Sequence, residues 1–178
     1  MNTGQMLLVL GAMAILSLTS LTINTVLVGQ TTAVLEAEAG LNAISIAQTM
    51  IDEIMTKAYD AYTVSNKAYS ANSFTASNAL GCNSTEASNV SQPDVATPFK
   101  SFKYYNDVDD YNNYTRTAAT TLMGNFAVVD TVIYVVETKP DQKSNTQTYH
   151  KKVIVTVRHP NMSKPLQLSD IAVYRKYF

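Results

Sequence analysis

The stretch MLLVLGAMAILSLTSLTINTVLV, residues 6–28, has no charged side chain, and the first charged residue of the chain is Glu36. A helix of about 20 apolar residues, each adding about 1.5 Å, crosses the hydrocarbon core of a bilayer. The segment therefore predicts a helix that spans a membrane. A cleaved signal peptide has a basic region before a shorter apolar core, and no basic residue precedes this run. A plain membrane anchor stays open as an alternative.

The helical pattern continues beyond the apolar run. Apolar residues recur at spacings of three and four with polar residues opposite them, which predicts an amphipathic second half. The expected apolar stripe is Val34, Leu35, Leu41, Ile44, Ala47, Ile51, Ile54, Met55 and Ala58, and the expected polar face is Glu36, Glu38, Asn42, Gln48, Asp52, Glu53 and Lys57. No proline interrupts Met6 to Tyr59. We expect one helix of roughly 50 residues, on the order of 80 Å long.

Small and hydroxylated residues are frequent in the apolar run. Small residues let helix backbones approach each other, and hydroxyl or amide groups can hydrogen-bond between helices in lipid. A hydroxyl can instead bond to a carbonyl one turn earlier in its own helix. For Asn24 we expect burial among neighbouring copies of the chain. The residues expected to pack in such a bundle are Met6, Leu7, Leu8, Leu10, Gly11, Ala14, Ile15, Leu18, Leu21, Asn24 and Leu27.

The amino-acid composition indicates which partners the protein can bind and in which compartment it resides. The chain has 178 residues, a formal net charge of −1 and no basic stripe, so nucleic acid and anionic lipid are not expected as main partners. Its one cysteine, Cys82, allows no internal disulfide. Charged residues make up only 15% of the chain, while hydroxyl and amide residues are abundant. That composition favours an extracellular surface.

The second half of the chain predicts a sheet. Residues 62–98 are rich in Ser, Asn, Thr and Ala and predict a long loop with at most a short helical turn. Three segments rich in β-branched and aromatic residues follow at 124–137, 149–159 and 166–177, separated by turn signals. Consecutive strands with short polar connections predict an antiparallel meander within 124–178. The face of the middle strand that carries Val153, Val155 and Val157 is expected to pack on the helix stripe.

The predicted fold class is therefore α+β. A long N-terminal helix, first transmembrane and then amphipathic, packs on a C-terminal antiparallel sheet of about three strands. Residues 1–29 form an apolar stalk and residues 30–178 form a globular head, in the shape of a lollipop.

This outline resembles the type IV pilins and pseudopilins. Two short strings strengthen the resemblance. DVDDYNNY, Asp107 to Tyr114, is similar to a segment that precedes the sheet in some pilin-like proteins, and ISIAQTMIDEIMTKAYD, Ile44 to Asp60, is similar to the end of their helix. The resemblance implies a bacterial subunit that resides in the inner membrane as a precursor and then enters an extracellular filament.

The N-terminus departs from the family pattern. The family has a basic leader that ends in glycine, and a glutamate at the fifth position of the mature chain. Here Gly4 and Gln5 flank the only comparable cleavage point, no Lys or Arg precedes it, and the fifth residue after the cut is Val9. Retention and cleavage of residues 1–4 therefore both stay open.

The function implied by the resemblance is structural. The chain would form a homopolymer through its apolar helices, with an assembly motor and platform supplied by other proteins. Two alternatives stay open: a minor pseudopilin of a type II-like secretion or pilus assembly machine, and a single-pass anchored protein that binds surfaces. We expect no enzymatic activity and no cofactor, because no nucleophile motif or glycine-rich phosphate loop is present.

Three aspartates lie close together just before the predicted sheet. Asp107, Asp109 and Asp110 form a weak candidate for calcium, since closely spaced carboxylates can supply oxygen ligands. The competing interpretation is a turn in which these side chains accept hydrogen bonds from local backbone amides, with Tyr111 packed on the helix. The neighbouring tyrosines at 104, 105, 111 and 114 are expected either to line a recognition surface or to pack between helix and sheet.

Overall fold

The computed structural model describes residues 2–175. The helices are α1 (Thr3–Met55), α2 (Ser84–Asn89) and α3 (Lys100–Tyr104), and 3-10 turns lie at Ala61–Val64, Ala71–Ser73 and Asp109–Tyr111. The strands are β1 (Thr115–Thr120), β2 (Gly124–Val136), β3 (Lys139–Lys143), β4 (His150–Arg158) and β5 (Leu166–Val173). The architecture is α+β, with the long apolar helix packed on a C-terminal antiparallel sheet, as predicted.

The sheet has five strands, so the prediction of about three was wrong. Its main path is β1-β2-β4-β5, and β3 pairs with the far end of β2. Every pairing is antiparallel. The central pair is β2 with β4, in register from Ala127 opposite Arg158 to Tyr134 opposite Lys151.

The two strands that the sequence did not indicate are both polar. β1 reads TRTAAT and has no large apolar residue, yet it pairs with β2 from Thr115 opposite Val129 to Thr120 opposite Gly124. β3 reads KPDQK and falls in a segment predicted as a turn because of Pro140. It pairs with β2 only at Val135 and Val136, across a register shift, and short polar strands of this kind occur at sheet edges.

α1 packs on β4 and β5 through a face that differs in part from the predicted stripe. Its buried residues are Ala39, Ala43, Ala47, Met50, Ile51 and Ile54. Leu41, on the predicted apolar stripe, is 70% exposed, and Ile44, where the part predicted to pack on the sheet begins, is 49% exposed. Alanines four residues apart lie on one side of a helix and let its backbone approach the valine-rich sheet closely. Close approach, not side-chain size, therefore determines which face is inside.

This close approach makes the alanines sensitive to added volume. We expect Ala43→Phe to destabilise the head by about 1–3 kcal/mol, because the fully buried Ala43 leaves no room for a ring. Chemical unfolding of the full chain in detergent micelles would measure the change. Ala37→Phe is the matched control, because Ala37 is exposed on the same helix. An equal loss of stability in both variants would contradict this packing.

The segment 62–98 is irregular but packs on the head. It includes the six residues of α2, and its buried members include Ala68, Phe74 and Val90. The third predicted strand, 166–177, ends at Val173 in the structure. Tyr177, which the sequence placed at the end of that strand, lies outside the described residues.

Candidate functional site

The first two thirds of α1 are exposed to solvent. Residues 2–37 are all exposed, and burial begins only with Glu38 and Ala39. The bare helix from Thr3 to Ala37 is about 50 Å long at about 1.5 Å per residue. By length and composition it could cross a membrane. In the structure we therefore refer to residues 3–37 as the stalk and to residues 38–175 as the head, in place of the boundary after residue 29 expected from the sequence.

Most hydroxyl groups of the stalk are satisfied within their own helix. Six Ser and Thr side chains donate to a carbonyl three or four residues earlier: Ser17, Thr19, Thr22, Thr25, Thr31 and Thr32. Each bond is 2.8–3.2 Å long. The Asn24 side chain has no hydrogen bond within the part of the chain that the structure describes. In an apolar environment that amide would need a partner from another molecule.

All eleven residues predicted to pack in a filament core lie on the stalk. They are Met6, Leu7, Leu8, Leu10, Gly11, Ala14, Ile15, Leu18, Leu21, Asn24 and Leu27, and all are exposed. The structure places them along the full length of one helix and does not bring them together with a partner. Gly4 and Gln5, the residues at the possible cleavage point, lie in the first turn of α1, where the Gln5 amide donates to the Asn2 carbonyl at 2.9 Å.

Glu36 joins the stalk to the head. Its carboxylate accepts hydrogen bonds from the backbone amide of Ser163, at 3.2 Å, and from the Ser163 hydroxyl. These bonds lower the pKa of Glu36. Ser163 lies in the turn between β4 and β5. The first charged residue of the chain therefore fixes this turn of the head against the helix where the stalk begins.

A buried charge cluster lies between α1 and the sheet. Glu53, predicted to face solvent, instead points inward and pairs with Arg116 of β1 at 2.8 Å. The other oxygen of the Glu53 carboxylate accepts hydrogen bonds from the hydroxyls of Ser101 and Tyr111, both at 2.8 Å. A charged residue on the sheet side of an amphipathic helix destabilises the fold unless an opposite charge and hydrogen-bond donors surround it. Glu53 thus ties α1 to three separate segments.

Asp130 of β2 completes this cluster. It is fully buried, and neither of its carboxylate oxygens has a hydrogen-bond partner within residues 2–175; the same is true of Nε of Arg116. Burial raises the pKa of Asp130 well above its ordinary value, and Glu53 adds to that effect while Arg116 opposes it. One guanidinium therefore pairs with Glu53 and lies near a second carboxyl group, Asp130, that favours its protonated form.

A second buried cluster centres on Lys151 of β4. Its ammonium group is fully buried and donates to Asp60 Oδ2 at 2.8 Å, to Asp109 Oδ1 at 2.7 Å and to the Tyr59 carbonyl at 2.8 Å. The rings of Tyr59 and Tyr134 lie 4.6 Å and 5.2 Å from Nζ. The burial of Lys151 among these groups was not predicted from the sequence. The signal was available, because the alternation of β4 puts residue 151 on the same face as Val153 and Val155.

The acidic turn is held by its own backbone. Asp107 Oδ1 accepts from the amides of Asp109 and Asp110, and Asp110 Oδ2 accepts from the amides of Asn106 and Asp107. Burial raises the pKa of Asp107 to about 9 and that of Asp110 to about 7. These contacts are those expected for a turn in which the aspartate side chains accept hydrogen bonds from local backbone amides, the alternative to a calcium site. Within residues 2–175 no group of three or more His, Cys, Asp or Glu side chains is arranged to hold a metal ion.

Three of the four tyrosines around this turn are packed inside. Tyr105, Tyr111 and Tyr114 are buried and meet edge to face with centroid distances of 5.0–5.7 Å. Buried aromatic pairs in this geometry contribute about 0.5–1.5 kcal/mol each beyond their area. They therefore belong to the core that joins helix, turn and sheet, and they do not line a recognition surface.

The stalk is the largest apolar surface of the described residues that the head does not cover. No family model, no curated protein and no solved structure matches this chain. The charge clusters are enclosed and stabilise the head. Apart from the bonds between Glu36 and Ser163, the stalk is a bare helix about 50 Å long at about 1.5 Å per residue.

Proposed function

We propose that this protein is the structural subunit of an extracellular, pilus-like helical filament that assembles through its N-terminal apolar helices. The observation that carries the proposal is the stalk, in which every residue from Thr3 to Ala37 is exposed. Monomeric proteins rarely expose a contiguous apolar surface of this extent, and such surfaces mark sites of association or membrane contact. The stalk has one environment before assembly and another after it.

Before assembly the stalk resides in the inner membrane. The hydrocarbon core of a bilayer is about 30 Å thick, so the uncharged run of residues 6–28 fills it and the rest of the stalk stands outside. The bond from Ser163 to Glu36 then places the head just beyond the membrane surface. A bilayer surrounds the apolar half of the stalk but offers Asn24 no fixed partner.

In the filament, copies of the stalk pack against one another. Lipid is as apolar as leucine, so packing of small residues and interhelical hydrogen bonds must favour the bundle over the bilayer. Gly11 and Ala14 supply small surfaces, and Asn24 supplies an unpaired amide. Repeated head-to-tail contacts that do not close into a ring give an open helix. An assembly motor and platform from other proteins supply the work.

Electron microscopy of material sheared from cells that express the chain tests this proposal. Abundant fibres that contain the protein support a filament subunit. A protein recovered only as a detergent-extracted monomer supports the single-pass anchor instead, and a few copies that stay with the membrane support a minor pseudopilin.

A stalk substitution sharpens the test. We expect Gly11→Phe to abolish fibres while the head stays folded, because a ring replaces the smallest side chain at a close helix contact. The amount of sheared fibre and the near-ultraviolet circular dichroism of the tyrosines are the two measurements. Leu16→Phe is the matched control, since it puts the same ring where a large side chain already stands. Undiminished fibres in the Gly11 variant would contradict close packing of the stalks.

A further inference from the structure

The buried amine of Lys151 lies within bonding reach of two buried carboxyl groups, an arrangement suited to a reaction between them as well as to a salt bridge. Its Nζ lies 2.7 Å from Asp109 Oδ1 and 2.8 Å from Asp60 Oδ2, and all three side chains are at most 2% exposed. Backbone bonds between Ala58 and the segment 106–108, at 2.9 and 3.1 Å, hold the end of α1 beside the acidic turn. The amine and both carboxyl groups are thus fixed in place.

The two carboxylates differ in their other partners. Asp60 also accepts hydrogen bonds from the amides of Tyr62 and Thr75 and from the hydroxyls of Thr75 and Tyr134, which stabilise its negative charge. The backbone amide of Asp109 instead donates to Asp107 Oδ1 at 2.9 Å, and burial raises the pKa of the Asp107 carboxyl group to about 9. Asp60 Oδ2 lies 2.8 Å from Nζ, within reach of one of its protons, and Asp109 lies next to the Asp107 carboxyl group.

We propose that Lys151 and Asp109 condense to form an intramolecular amide bond between their side chains. Two oppositely charged groups buried without water are costly to keep ionised, and condensation replaces both charges with one neutral amide. The distance from Nζ to Oδ1 puts the carboxyl carbon close to the separation of about 3–3.5 Å at which bound groups react, where effective molarities reach about 10⁵–10⁸ M.

The reaction needs no other reagent. Lys151 passes one ammonium proton to Asp60 Oδ2, and the free amine attacks Cγ of Asp109, so that an N–C bond forms. Asp107 protonates one Asp109 oxygen and takes up a proton from the attacking nitrogen. Asp60 passes its proton to the same oxygen, the C–O bond to that oxygen breaks, and the oxygen leaves as water. Both hydrogens of that water come from the original ammonium group through the two carboxyl groups, and Asp60 and Asp107 end as they began.

The bond would join β4 covalently to the turn that precedes β1. A covalent link at this point keeps the turn, the end of α1 and the sheet together under tension, which suits a subunit of a fibre. The proposal does not rest on filament formation, because all the reacting groups lie in one head. A monomer would contain the link as well as a polymer would.

Mass spectrometry of the folded full-length protein, digested with trypsin after unfolding, tests the proposal. We expect a branched peptide that joins residues 104–116 to residues 144–152, lighter by one water than the sum of the two. Cleavage after Lys151 should be lost, because its amine is blocked. The linear peptide 104–116 should be nearly absent.

Two variants provide the controls. Lys151→Arg keeps a cation in the site but does not condense, so both linear peptides should appear. Lys152→Arg, which alters the neighbouring lysine that pairs with the exposed Asp141, should keep the branch. Linear peptides from most of the folded wild-type protein, with cleavage after Lys151, would overturn the proposal whether or not the protein forms fibres.

Discussion

Arg116→Met should destabilise the head by about 3–5 kcal/mol, the cost typical of removing one partner from a buried ion pair. Arg116 is 3% exposed and supplies the cation that pairs with Glu53 at 2.8 Å. Methionine replaces much of the side-chain volume but leaves the Glu53 carboxylate buried with only hydroxyl donors. Urea unfolding of the full chain in detergent micelles, followed by tyrosine circular dichroism, would measure the loss.

A double variant separates the lost charge from lost packing. Glu53→Gln in the Arg116→Met background removes the stranded charge while the amide keeps an oxygen that can accept from Tyr111 and Ser101, so we expect it to recover part of the stability. Lys152→Met is the comparison on the surface. It breaks the pair with Asp141, which is 99% exposed, and should cost less than about 1 kcal/mol. A similar loss at both sites would mean that the Glu53 pair contributes no more than a surface contact.

The parts of this fold that follow from long-range periodicity could be predicted. The unbroken helix follows from an apolar run without proline, and β2 and β4 follow from dense β-branched residues. β5 follows from its apolar residues, Leu166, Leu168, Ile171 and Val173. β1 could not be predicted, because TRTAAT has no apolar alternation and its only strand-favouring residues are threonines. It is a strand because its backbone pairs with β2 and its Arg116 reaches Glu53. Such a strand is specified by its partners, which a local sequence pattern does not contain.

The buried charges were missed for a related reason. A helical wheel assigns Glu53 to the polar face, and only the three-dimensional arrangement shows that Arg116, Tyr111 and Ser101 converge on it. The apolar stripe predicted for α1 from residue spacing took in Leu41 and Ile44 in preference to the buried Ala39 and Ala43. Sheet packing at close range reverses that preference. Lys151 is the exception, since strand alternation alone places it inside.

Asp110 gives the head an unusual dependence on pH. Burial raises its pKa in the folded state to about 7, helped by the nearby Glu86 and opposed by two backbone amides, whereas an unfolded aspartate titrates near about 3.9. Between these values the folded state binds a proton that the unfolded state has released. Stability is therefore highest below about pH 4 on account of this group and falls as pH rises towards 7.

The size of the effect follows from the two pKa values. A difference of about three units corresponds to about 4 kcal/mol, of which most is lost between pH 4 and pH 7. Urea midpoints of the full chain in micelles, measured from pH 5 to pH 8, should fall steadily. Asp110→Asn should make this slope shallower, because its amide oxygen can accept the same bonds from Asn106 and Asp107 without titrating. Part of the slope should remain, because burial also raises the pKa values of Asp107 and Asp130. Asp52→Asn, on the exposed face of α1, should leave the slope unchanged. If the wild-type midpoint rises with pH over this range, the buried turn is ionised and the cause assigned to Asp110 is wrong.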